Sequence, residues 1–236
     1  MLIKNSKPFN IGALFAMTFL GVLFMIFSPV FQGRNGLEFA DENFNKLAKG
    51  SSYFIPKVSR SVENVPGTQL NSVISVDKSE DAVNTETILM MAGARVERND
   101  VTLKISGDLS MVLKSALKDA DAMYNNDGKA VSGRYGIDEK KALKYWWTAL
   151  SKIEKQMKKE KNVEMAKLVG EVNKKAVEPA YNFYKVEANK VIDHAGMMTG
   201  LLVFYVFYTM WWGYAIFYLF EGLGLTMKKA KVKKEA

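Results

Sequence analysis

Residues 195–220 read AGMMTGLLVFYVFYTMWWGYAIFYLF, 26 positions without a charge, and the lysine-rich tail KKAKVKKEA begins at Lys228 soon after. A helix needs about 20 apolar residues to cross a bilayer, and cytoplasmic flanks favour lysine and arginine. The stretch therefore predicts a membrane-spanning helix anchored on its cytoplasmic side. A second uncharged run, Pro8 to Gly33, lies near the other end behind Lys4 and Lys7. Its apolar length exceeds a signal peptide's core of about 7–15 residues, and no small-x-small cleavage pattern follows it, so it reads as an uncleaved signal anchor.

These two runs divide the chain. Residues 1–10 are expected to form a cytoplasmic N-terminus, 11–31 the first span, 32–194 one extracytoplasmic domain, 195–220 the second span, and 221–236 a basic cytoplasmic tail. The expected class is a membrane-anchored, mainly α protein with a small α+β element, both termini cytoplasmic, in a bacterial inner membrane with the domain in the periplasm. Residues 33–194 hold 26 basic against 23 acidic side chains, too even for a nucleic-acid surface. With no cysteine in the chain, disulfides, thiolate nucleophiles and Cys-ligated metals are excluded.

Within the domain, Leu37, Ala40, Phe44, Leu47 and Ala48 recur at helical spacing between Gly36 and Lys49. The segment with Pro56, Pro66 and Gly67 reads as a surface loop. Leu70–Val76 reads as a strand, and Ser79 opens a helix that ends at Gly93. Strands Arg95–Arg98 and Val101–Ile105 should turn at Asn99-Asp100, and Gly107-Asp108 should cap a helix through Met123. Asn125-Asn126-Asp127-Gly128 suggests a loop to Gly136; taken as a calcium loop it would put Met123 and Arg134 at ligand positions, which a hard cation rejects. Asp138 caps a long helix, Asn162 breaks it, and Pro179 suits the first turn of another. With no breaker before Gly196, that last helix is expected to run from Ala180 into the second span.

Chemistry-bearing residues are few. His194, the one histidine, stands beside Asp193 at the edge of the second span, and reads as a polar interface residue. Neither a phosphate loop nor a nucleophile elbow is present, so no catalytic residue, metal or cofactor is expected. Tyr145, Trp146 and Trp147 are consecutive on a helix and spread over about 200 degrees, so at least one should be exposed or in a cleft. They are the domain's expected ligand or partner contacts, a sugar-stacking platform among the readings. In the second span, Tyr208, Trp211, Tyr214 and Tyr218 share one half of the helical wheel and Gly196 and Gly200 form a GxxxG pair, all expected to dock a partner. Val206, Thr209 and Gly213 make a narrow strip opposite, expected to face the first span, where Gly12 and Ala16 allow close approach.

The plan resembles, in architecture alone, the chain-length regulators of polysaccharide export, though those carry a proline-rich stretch by the second span and here no proline follows Pro179. The leading expectation is a non-catalytic accessory subunit of an inner-membrane transporter or respiratory assembly, its partner another polytopic protein or a second copy, with no nucleic acid. The alternative is a periplasmic ligand-binding sensor, or a chain-length-regulator-like protein, relaying to a membrane partner.

Overall fold

The computed structural model describes residues 3–225; the lysine-rich tail from Lys228 lies outside the described residues. In order the elements are α1 (Ser6–Phe27), α2 (Gly36–Ser51), α3 (Ile55–Glu63), β1 (Gln69–Ser75), α4 (Ser79–Met91), β2 (Arg95–Asn99), β3 (Thr102–Asp108), α5 (Leu109–Tyr124), α6 (Gly128–Tyr135), α7 (Glu139–Lys159), α8 (Val163–Val172), a π-turn (Asn173–Val177), α9 (Glu178–Asn182), a 3-10 turn (Val191–His194) and α10 (Ala195–Gly222). The fold is mainly helical with one small sheet. The described residues form two compact units, 3–44 with 190–225, and Asn45–Asn189.

The first unit is an antiparallel pair of helices. Both α1 and the stretch Val191–Gly222 are long and apolar enough to cross a membrane. Their crossing is set by Gly12, where an added Cβ would come within 2.6 Å of Leu219 N and 3.0 Å of Ala215 O. Only a glycine lets the backbones approach that closely. At one end the amides of Lys4 and Asn5 donate to Gly222 O at 3.0 and 2.9 Å, which satisfies a carbonyl the helix terminus leaves open. Further along the pair, Phe19 stacks on Tyr208 at 4.2 Å and lies against Trp212 at 4.7 Å, while Phe15 meets Tyr218 edge-on. The start of α2 is fixed by reciprocal capping: Asn35 Oδ1 accepts from Glu38 N at 2.9 Å and Glu38 Oε2 from Asn35 N at 3.0 Å.

The second unit is the helical α/β domain. Its sheet has the order β1-β3-β2, antiparallel throughout, with Ser72 opposite Ile105 and Val96 opposite the same residue on the other side. Strict alternation buries Leu70, Ser72 and Ile74 of β1 and Leu103 and Ile105 of β3, as the period-2 pattern requires. The β2–β3 turn holds Asp100 at φ 51°, a conformation that aspartate tolerates. Asp108 caps α5 by accepting from Ser110 N at 2.7 Å, and the Ser110 hydroxyl first, with backbone amides behind it, holds its carboxyl below the ordinary carboxylate range. The β-α-β-β-α order, the caps at Asp108 and Asp138 and the break at Asn162 follow the sequence pattern.

Three segments depart from it. The stretch expected to loop after Pro56 contains α3, because proline at the first turn costs a helix nothing and Ile55, Val58 and Val62 bury one face. The expected loop before Gly136 contains α6, capped by Asp127 and ended by Gly136 in the left-handed region. The helix expected to continue from Ala180 into the second span stops at Asn182. Lys185 turns to φ 66°, its amide taken by Asn126 Oδ1 at 2.8 Å, and no helix follows until Val191. Side-chain capture of one backbone amide by an asparagine distant in sequence overrides a local pattern that contained no breaker.

Candidate functional site

The aromatic triplet of α7 divides as its helical spread demands. Trp146 is fully buried and Tyr145 nearly so, while Trp147 is 43% exposed. Trp146 Nε1 donates to Asp119 Oδ2 at 2.8 Å, and Tyr135 Oη and Arg134 Nη1 donate to the same carboxylate. Burial pushes the Tyr135 phenol up, against the pull of Arg134. Tyr145 receives a hydrogen bond from Asn84 Nδ2 at 3.2 Å, and burial raises its phenol too. These two aromatics thus belong to the core and its buried polar cluster.

Trp147 instead lines a groove of about 350 Å³ with Lys144, Val177, Glu178, Tyr181 and Asn182. Its indole Nε1 donates to Glu178 Oε1 at 2.8 Å, which fixes the ring plane. The opposite wall comes from α9 because of the π-turn before it. Pro179 offers no amide hydrogen to Lys175 O and its ring crowds that carbonyl; the chain answers with a wider turn in which Glu178 N bonds to Asn173 O, five residues back. Asn173, 3% exposed, ties this turn to α7 through Trp147 O at 3.2 Å and Ser151 Oγ at 2.9 Å. Such π-turns recur at functional sites. Tyr181 is 38% exposed, and the Lys140 ammonium lies 5.3 Å from its ring centroid.

The sequence pattern pointed to Trp147 but passed over Lys144, Glu178, Tyr181 and Asn182. Lys144 stands three residues before Trp147, and Glu178, Tyr181 and Asn182 share an i, i+3, i+4 face, a signal that two faces exist. That they meet across a groove depends on the π-turn, which no local pattern announced.

On α10 the expected docking residues separate. Tyr208 and Tyr218 pack on α1, and Tyr208 Oη lies 3.5 Å from Phe19 O. Trp211 is half-buried, and Tyr214 points outward, 51% exposed. Around Gly196, Gly200 and Gly213 an added Cβ would meet nothing within 4 Å. The small-residue strip therefore faces away from α1, opposite to expectation. The reason lies in α1: Gly12 supplies the close approach from its own side, and Phe19 offers a flat ring that Tyr208 and Trp212 cover better than a strip of small side chains would. Tyr205 is 64% exposed, and neither its hydroxyl nor that of Tyr214 has a hydrogen-bond partner among the described residues.

His194 is half-buried with Nδ1 3.4 Å from Lys190 O. Among the described residues no three or more His, Asp or Glu side chains gather as a metal site. Compared with known proteins, the chain matches no family model, no curated protein and no solved structure.

Proposed function

We propose that this chain is a non-catalytic accessory subunit of an inner-membrane assembly, such as a transporter or respiratory complex, held by two spans and docking a polytopic partner through exposed sides of α10. The observation that carries this reading is that two phenols on opposite sides of the helix, Tyr205 and Tyr214, have no partner among the described residues. In a 28-residue helix rising about 1.5 Å per residue, both lie within about 8 Å of its middle, inside a hydrocarbon layer about 30 Å thick. A hydroxyl left unpaired in an apolar medium costs about 2–7 kcal/mol. A second protein's carbonyls or side chains would remove that cost; lipid tails would not.

Lysines at both chain ends support cytoplasmic termini and an extracytoplasmic domain. The antiparallel pairing of α1 with α10 is consistent with ends on one side. The test is purification of the native protein in mild detergent, followed by Tyr205→Phe and Tyr214→Phe, which remove the hydroxyls and keep the rings. A stoichiometric polytopic partner retained by the wild type and lost from the double variant is the expected result. A partner held equally by both, or recovery of the wild type as a lone chain, would reject docking through these hydroxyls.

A further inference from the structure

We propose that residues 183–189 form a two-state strap, coil while Lys49 and Asn126 hold it and a helical continuation of α9 once that hold is released. The inference does not rest on the docking reading, and every group of the latch lies in the Asn45–Asn189 unit.

The segment has the sequence of a helix. Between Ala180 and Ala195 there is neither glycine nor proline, so nothing in its backbone chemistry stops α9 at Asn182. Glu187 and Lys190 stand three apart, a spacing at which opposite charges support a helix. The structure instead holds Lys185 at φ 66°. A side chain bearing a Cβ enters this left-handed region at a cost, and lysine lacks the short polar group that lets asparagine or aspartate offset it locally.

Two side chains from elsewhere in the domain supply the offset. Asn126, in the turn between α5 and α6, accepts from Lys185 N at 2.8 Å through Oδ1 and donates to Val186 O at 3.2 Å through Nδ2. The buried ammonium of Lys49, on α2, donates to Phe183 O at 3.1 Å and Val186 O at 2.6 Å. It also donates to Asn126 Oδ1 at 3.1 Å, which joins the two halves of the latch.

The backbone groups so taken are the ones a continuing helix needs. In the i to i−4 ladder Lys185 N would donate to Tyr181 O, Phe183 O would accept from Glu187 N, and Val186 O would accept from Lys190 N. Local preference and tertiary hold thus compete for the same atoms, and satisfying one set of bonds dissolves the other. That exclusivity gives two discrete arrangements in place of a frayed helix end. In the helical state α9 would run on to the 3-10 turn Val191–His194, so the latch decides whether coil or helix leads into α10.

The test is hydrogen–deuterium exchange, read by mass spectrometry on the full chain in mild detergent. Asn126→Gly removes the latch side chain and keeps the turn, since Asn126 sits at φ 65°, which glycine adopts freely. Amides of 187–190 should exchange about threefold more slowly than wild type in Asn126→Gly, and about tenfold more slowly in Asn126→Gly with Lys49→Met. Adding Lys185→Gly, which favours the left-handed turn and weakens a helix, should restore the wild-type rate. Peptides from α5 and α7 report the fold, and if they lose protection in the double variant, Asn126→Gly alone decides. The proposal is overturned if 187–190 exchange as fast as wild type or faster in Asn126→Gly while α5 and α7 stay protected. Slowing that survives Lys185→Gly would overturn it as well.

Discussion

Trp146 donates its indole hydrogen to Asp119 at 2.8 Å where neither side chain touches solvent. The carboxylate draws together α5, α6 and α7, since Arg134 and Tyr135 of α6 bond to it as well. Removing one member of a buried pair leaves charge and donors without partners, at a cost of about 3–5 kcal/mol. Asp119→Ala should lose that amount in urea unfolding of the domain. A loss under about 1 kcal/mol would mean that the cluster adds little to the fold.

Lys49 is 2% exposed, and its ammonium donates to neutral oxygens: Val186 O at 2.6 Å, Phe183 O and Asn126 Oδ1 at 3.1 Å. Burial lowers its pKa. Between that depressed value and the ordinary lysine range the unfolded chain holds more protons than the folded one, so stability should rise as pH climbs through this window. Lys49→Met should flatten the rise on the acid side of the ordinary lysine range. It should also cost about 1–3 kcal/mol at neutral pH by orphaning three acceptors. Urea midpoints of both proteins across that pH range measure the two effects together.

The Tyr184 hydroxyl donates to Glu139 Oε1 at 2.8 Å, and burial together with this carboxylate pushes its phenol up to about 12. A phenol whose folded pKa exceeds its unfolded value near 10 loses stabilisation as pH rises from about 10 to 12. Tyr184→Phe should lack that alkaline loss and be less stable at neutral pH by about 1 kcal/mol. Gly128→Ala should act on the same bond, because an added Cβ would run into the Tyr184 hydroxyl. Alkaline unfolding curves that coincide for wild type and Tyr184→Phe would contradict this account.

Gly12→Ile should separate α1 from α10, since even a Cβ collides with backbone and side chain at Leu219. The chain has no cysteine, so cysteines placed at Phe19 and Trp212 can report proximity cleanly. A short bifunctional cross-linker should join them in otherwise wild-type protein and fail to do so in the Gly12→Ile background. Equal cross-linking in both would place the helix crossing elsewhere.

Local patterns decided a large share of this fold. Alternation of Val101, Leu103 and Ile105 could bury one face only as a strand, and Asn99-Asp100 could serve only as its turn. Asp108 and Asp138 announced helix starts through the one hydrogen bond each was suited to accept, while Asn162, legible as a break, also caps α8. The same reasoning passed over α3 and α6, short helices held by burial of Val58, Val62 and Val131 against the rest of the domain. Their flanking prolines, asparagines and glycines read equally well as loops.

By itself, the sequence determined where the apolar helices lie, which residues alternate into a sheet, and that one of three consecutive aromatics must leave the core; each follows from period and length along the chain. Tertiary structure alone decided that Trp147 is the exposed one and that it faces Tyr181. It also decided that the last domain helix ends at Asn182 and that Phe19 draws Tyr208 and Trp212 of α10 against α1 while Tyr214 stays outward. Those outcomes depend on residues far apart in sequence: Asn126 capturing the Lys185 amide, Asn173 tying its wide turn to Trp147 O, and Gly12 admitting Leu219. A helix pattern describes which residues share a face, while the neighbour that face meets is a property of the folded chain.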